Sequence, residues 1–317
     1  MRALPRAFAL MGQSSDGTRR PSGDGGHGAG IMLLLAAVFV FTLMDAVAKH
    51  LGETYAAPQI VWARFAGNLL FLMLFYRARF FPSLRSRHPR LQFWRSMMQL
   101  GSSLLFFTAI QHIGIAEATA IMDLNPVLIT LGAALFLGEP IGWRRIAGIV
   151  AALSGALIII RPGMDVFHPA AVLPLIGAFT YAAGALLTRF LRDDALATSL
   201  IWSVLMGTLI SSLMLPWFWQ PVQIQHLWAF GIIGVLGAVS QALLIRAFSM
   251  AEAGAIAPFG YTGLLWAGVW SWLFWGVIPD RWTIIGAAII VVAGIYVWSR
   301  EARAARRPPA DSTEDGT

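Results

Sequence analysis

The chain has 317 residues, of which 57% are apolar and only 12% charged, with a mean hydropathy of +0.68 and a net charge of +7. That composition excludes a water-soluble globular domain, and the absence of cysteine excludes disulfides, thiolate metal sites and cysteine nucleophiles. The positive charge does not point to nucleic acid, because no soluble stretch is long enough to fold into a basic domain.

In chain order, residues 1–30 carry one short apolar stretch, 7–11, and read as a disordered cytoplasmic tail. Apolar runs long enough to cross a hydrocarbon core of about 30 Å follow at 31–51, 58–76, 93–112, 118–137 and 143–160. A second set lies at 170–188, 198–218, 227–248, 253–277 and 282–298. Residues 300–317, with Pro308-Pro309 and mixed charges, read as a second disordered cytoplasmic tail. Segments of this length without strict alternation are helices, because lipid offers the backbone no hydrogen bonds. The predicted fold is therefore all-α and integral to the membrane, with ten transmembrane helices.

The two sets are copies. Ala116-Glu117-Ala118-Thr119-Ala120-Ile121 recurs as Ala251-Glu252-Ala253-Gly254-Ala255-Ile256, and Trp143 and Gly155 find counterparts in Trp282 and Gly294. The repeats, 31–161 and 170–299, each hold five segments, and an odd number forces the second to enter the bilayer inverted. Inverted five-helix repeats are the architecture of secondary carriers. Nineteen of the twenty-three Lys and Arg fall on one side if both termini are cytoplasmic, and only Arg161 and Arg281 lie on the other. The expected protein is a multi-pass inner-membrane protein with N and C termini inside.

The turn Gly138-Glu139-Pro140 with Trp143, Arg145, Gly148 and Gly155 resembles the repeat signature of EamA-type carriers of the drug/metabolite transporter superfamily. In the second repeat the likeness runs through Ala257-Pro258-Phe259-Gly260-Tyr261-Thr262, Pro279-Asp280, Trp282, Gly286 and Gly294. The second repeat lacks the acidic residue of the turn, having Val277-Ile278-Pro279 there. The resemblance implies a carrier of a small organic metabolite working by alternating access around a central cavity. Phe41-Thr42-Leu43-Met44-Asp45-Ala46 is most similar to branches that carry riboflavin, S-adenosylmethionine or metallophores. An amino-acid or drug exporter on the same fold is the first alternative. An intramembrane enzyme or a non-transporting scaffold is the second, and no Ser and His pair at matched depth supports catalysis.

Charges inside lipid cost about 2.5 to 3.5 kcal/mol each at a helix centre, so each asks for a partner or a role. Asp45, Arg64 and Asp123 are all expected roughly 9 Å below the outer boundary, counted at the helical rise. One buried arginine and two carboxylates leave one carboxylate over, for a substrate cation or a proton; the bland alternative is an ion pair that locks helices together. Lys49, four residues after Asp45, is expected to snorkel outward. Asn125-Pro126 and Ala257-Pro258 interrupt corresponding segments, a pointer to a carrier's binding site that competes with a simple packing bend. Tyr261, Trp266 and Trp270 lie deep in the ninth segment, placed either to stack on a planar substrate or to face lipid. Trp62, Trp217, Trp219, Trp228 and Trp282 mark one interfacial belt. Gln99, Gln111, His112 and Gln241 line the cavity or bond between helices. Gly148, Ala151, Ala152 and Gly155 form a packing face or a homodimer face. The expected partners are a small-molecule substrate and the bilayer. No motif calls for a cofactor or a metal: the six histidines lack ligand spacing, and the sole lysine belongs to no phosphate-binding loop.

Overall fold

The computed structural model describes residues 24–77, 80–137, 143–161, 168–191, 193–250 and 257–305, and all secondary structure among them is helical. The Gly138-Glu139-Pro140 turn and the second copy of the repeated hexapeptide lie outside the described residues.

The first repeat comprises α1 (Asp24–Gly52), α2 (Ala57–Tyr76), α3 (Pro89–Ile110), α4 (Ile115–Met122), α5 (Asn125–Leu137) and α6 (Trp143–Ile160). The second comprises α7 (Val172–Arg189), α8 (Leu196–Phe218), α9 (Leu227–Met250), α10 (Thr262–Trp275) and α11 (Arg281–Ala305). Local chemistry sets many of these bounds. A proline stands in the first turn of α2 and of α3, where no N–H is needed. Gly276, left-handed at φ 64°, ends α10. The Asp280 carboxylate accepts the Thr283 N–H at 2.8 Å and so starts α11. Helix α1 begins seven residues before the expected boundary at residue 31, and α11 runs beyond Arg300 to Ala305. Both extend into the expected tails, because adding a residue to an existing helix costs far less than starting one.

Six helical stretches are long and apolar enough to span a membrane: 28–52, 57–76, 115–136, 169–189, 197–218 and 224–250. Residues 146–160 and 281–297 form shorter apolar helices, and α3 is diluted by Arg90, Gln92, Arg95 and Gln99. Length and composition alone therefore support a multi-pass membrane protein rather than a fixed count of ten spans.

The repeats interlock instead of packing side by side. Helix α1 lies against α9 and α10, while in the other repeat α7 lies against α3 and the α4/α5 pair. The self-equivalent pairs α2 with α8, α6 with α11 and α4 with α10 complete a pseudo-twofold arrangement. Glycines permit the closest crossings: a Cβ on Gly67 of α2 would lie 2.5 Å from the Gly234 Cα of α9. A Cβ on Gly155 of α6 would lie 2.8 Å from the Gly286 carbonyl oxygen of α11. The small-residue face of α6 is thus occupied, at least at Gly148 and Gly155, by α11 of the same chain.

Hydrogen bonds tie the repeats together at both ends. At one end the Tyr55 hydroxyl accepts the Gln223 N–H at 3.0 Å and meets His226 Nδ1 at 3.0 Å. Gln59 and the Gln220 backbone bond in both directions at 2.9 and 3.0 Å. Lys49 lies at this same end and does not snorkel. Its Nζ donates to the Ile110 carbonyl, the last of α3, and to the Ile113 carbonyl in the turn that follows, at 2.6 and 2.7 Å, because neither has a helical donor. At the same end Trp62 packs edge-on to Trp219 at 6.1 Å and donates to Ser212 Oγ at 2.9 Å. At the opposite end Asp194 takes hydrogen bonds from Ser86 Oγ, the Arg87 N–H at 2.9 Å and Gln92 Nε2 at 2.9 Å.

Candidate functional site

Between these ends lies a cavity of about 250 Å³ walled by both repeats. Its polar lining includes Asp45 from α1, Arg64 from α2, Gln99 and Ser102 from α3, Thr119 from α4 and Tyr181 from α7. Phe41 and Phe106 supply aromatic surface. Arg64 and Gln99 also line a second cavity of about 100 Å³, which reaches Arg95, Asn68 and Gln241.

Asp45 is 5% exposed and its Oδ1 has no hydrogen-bond partner. Arg64 Nε is likewise buried and unpartnered. The two share one cavity wall and feel each other's charge, yet they form no ion pair within 4.0 Å. Among described residues the ion pairs are His50 with Glu53 and Arg161 with Asp280. What surrounds the Arg64 guanidinium is aromatic: Phe41, Phe107 and Phe65 ring centroids lie 5.2, 5.4 and 5.8 Å away. Aromatic faces soften the burial of a cation without consuming its hydrogen-bond donors. The guanidinium is left able to grip a carboxylate or phosphate with its planar fork. Arg95, by contrast, is committed to Thr188 Oγ1, the Ser199 carbonyl and Ser203 Oγ at 2.7, 3.0 and 2.6 Å.

The other expected site residues divide. Asp123 is the C-cap of α4, and it is not among the residues that line the central cavity. Asn125 and Pro126 open α5, so the fourth segment is a broken helix at the expected place. Pro258 and Tyr261 lie in a 3₁₀ turn, Ala257–Tyr261, that precedes α10. Trp266 does not reach the cavity. It packs edge-on to Phe39 at 4.8 Å and stacks on Trp270 at 6.0 Å, and Trp270 donates to Thr42 Oγ1 at 3.1 Å. The ninth segment therefore turns Trp266 and Trp270 to α1, and Gly263 is the residue of α10 at the cavity wall. Gln99 and Gln241 line cavities, while Gln111 bonds the Tyr55 carbonyl at 3.1 Å and His112 stacks on His168 at 5.5 Å. Tyr181, Thr119 and Phe106 escaped sequence reasoning.

Interlocked helical repeats around a cavity that buries unpaired charges are the build of a membrane transporter. The chain belongs to the EamA-like transporter family, which it matches over residues 28–161 and 168–300, one match for each repeat. It is 31% identical over 270 residues to the pseudopaline exporter of Pseudomonas aeruginosa, covering 84% of this chain and 95% of that one. A riboflavin transporter of Rhizobium johnstonii is 29% identical, covering 88% and 94% of the two chains. An S-adenosylmethionine uptake transporter of Rickettsia bellii is 23% identical, covering 88% and 96%. A solved crystal structure has the same fold, with a TM-score of 0.60 at 18% identity over 88% of this chain and 99% of that one.

Proposed function

We propose that this protein is a ten-span secondary carrier of the inner membrane, with both termini cytoplasmic, that moves a small amphoteric metabolite through the central cavity by alternating access. The observation that carries the reading is Arg64: a buried guanidinium without an ion pair, in the wall between two cavities, facing a site that also holds Asp45. Arg64 binds an anionic group of the substrate, and Asp45 accepts from a cationic or donor group. Phe41, Phe106 and Tyr181 provide the apolar surface against which the rest of the molecule packs. S-adenosylmethionine, a metallophore or an amino acid offers both charges; riboflavin offers the planar ring but no carboxylate. Alternating access then requires the bonds at one end to break while those at the other hold.

The test is transport of labelled S-adenosylmethionine, riboflavin and amino acids in vesicles. Arg64→Ala is expected to weaken apparent affinity for a carboxylate substrate by about 10- to 100-fold, the worth of a hydrogen bond to a charged group. Arg64→Lys should recover little of it, because an ammonium lacks the fork. Undiminished transport of such a substrate by well-folded Arg64→Ala protein would sink the reading.

A further inference from the structure

The second cavity carries chemistry that the transport reading above leaves unused. Helical spacing turns two polar pairs toward it. Arg64 and Asn68 are four residues apart on α2, and Arg95 and Gln99 are four apart on α3, so the members of each pair share a face. Ser203 of α8 and Gln241 of α9 add a hydroxyl and a third carboxamide. The cavity follows α2 from Arg64 to its last residue, Tyr76, and so lies on the Asp194 side of the central cavity.

The charge of this lining is one-sided. It holds two guanidiniums, and none of the described residues that line it is acidic. Thr188 takes the Arg95 Nε–H, and the Ser199 carbonyl and Ser203 Oγ take the two N–H groups of Nη1. These bonds fix the plane of the guanidinium and leave its Nη2, which takes part in none of them. Burying two like charges with no counter-charge between them is costly, and an anion placed there relieves the cost. Size limits what that anion is. Cavities that enclose a whole small molecule run to about 300 Å³ and more. At about 100 Å³ the second cavity admits a head group, and only the two cavities together reach the larger size.

We infer that the second cavity is an anion subsite and that the substrate is a small amine carrying two carboxylates. Arg64, common to both cavities, stands between the two carboxylates. Arg95 Nη2 and Gln241 hold the one in the second cavity, and Asp45 takes the amine in the first. The charges agree: across both cavities two guanidiniums stand with one carboxylate, and two carboxylates with one ammonium are their complement. S-adenosylmethionine has one carboxylate and riboflavin none, so neither fills both subsites. The assignment rests on the transport reading, because the carboxylate in the first cavity is the anion given to Arg64 above.

The experiment compares L-aspartate, L-glutamate and L-α-aminoadipate, three diacids of increasing length, each with its side-chain monoamide. The readout is the concentration that half-saturates the rise in Tm of the detergent-purified full chain. At least one diacid is expected to bind about 10- to 100-fold more tightly than its amide, the worth of a hydrogen bond to a charged group. Arg95→Gln should bring that ratio to about one, and Gln241→Leu, which keeps Arg95 and its bonds, should reduce it. Neither should alter binding of the amide. If Arg95→Gln does not fold, Gln241→Leu decides. The inference is overturned if no diacid exceeds its amide, or if the ratio survives in the folded variants. It is also overturned if inorganic phosphate supplied beside the amide stabilises the protein as much as the diacid does, because the second anion is then a free one. Arg64→Ala should weaken diacid and amide alike, and that result judges the transport reading whichever way the ratio falls.

Discussion

Tyr55 and Asp194 stand 139 residues apart, at equivalent points of the two repeats, and each ties one end of the molecule to the opposite repeat. Tyr55 follows the first long helix and engages the stretch before α9; Asp194 follows α7 and engages the stretch before α3. The duplication has thus produced two closures with the same placement and different chemistry, one built on a phenol and the other on a carboxylate.

That difference makes one end sensitive to acid. Partial burial alone would raise Asp194, but hydrogen bonds from Ser86, the Arg87 N–H and Gln92 hold its carboxyl below the usual value of 3.8. A depressed folded-state value means that its contribution is present above the unfolded pKa and is lost as pH falls through the folded one. Asp194→Asn should lower stability at pH 7 by no more than about 1 kcal/mol, because the group is solvent-screened. The gap in Tm between wild type and variant should close as pH falls below 3.8. A gap that stays constant across that range would show that the carboxylate charge is not what matters there.

The proposed orientation is open to labelling, and the native chain has no cysteine to interfere. Glu53→Cys and Gln223→Cys, at exposed positions near the Tyr55 end, should react with an impermeant maleimide added outside intact cells. Ser86→Cys and Asp193→Cys, near Asp194, should react only after the membrane is opened. Outside labelling at Ser86→Cys would reverse the topology.

The Gly67 and Gly234 crossing tolerates no side chain without parting α2 from α9. Gly67→Ala should destabilise the protein by about 1 to 3 kcal/mol, the usual cost of overpacking, read as a lower Tm and poorer expression. Gly231→Ala, where a Cβ meets nothing within 4 Å, is the control and should be near neutral.

Aromatic residues of the cavity and of the ninth segment should behave differently under alanine substitution. Tyr181→Ala should raise the apparent KM by roughly 2- to 12-fold, equivalent to about 0.5 to 1.5 kcal/mol of lost ring contact. Trp266→Ala, which opens the Phe39 and Trp270 cluster, should lower Tm with KM little changed. The reverse pattern in kinetics at matched protein levels would return the ninth segment to the binding site.

The helical class, the two repeats and the interruptions at Asn125-Pro126 and Ala257-Pro258 were all legible in the sequence. Each follows from local or covalent properties: run length, composition and a proline ring. Family membership followed from the same motifs and holds along both repeats. Which face each helix turns inward was decided only by tertiary packing. Helix α10 carries no charged residue on any face, so no stripe marks its buried side. Depth counting placed Asp45, Arg64 and Asp123 in one layer, but helix rotation put Asp45 with Arg64 at the cavity and left Asp123 at the break between α4 and α5. Packing likewise sent Trp266 to Phe39, bent Lys49 onto the end of α3 and brought Tyr181 to the cavity. In lipid the hydrophobic effect gives no preference among apolar faces, so close fit and the pairing of polar groups choose the rotation, and both are properties of neighbours distant in the chain.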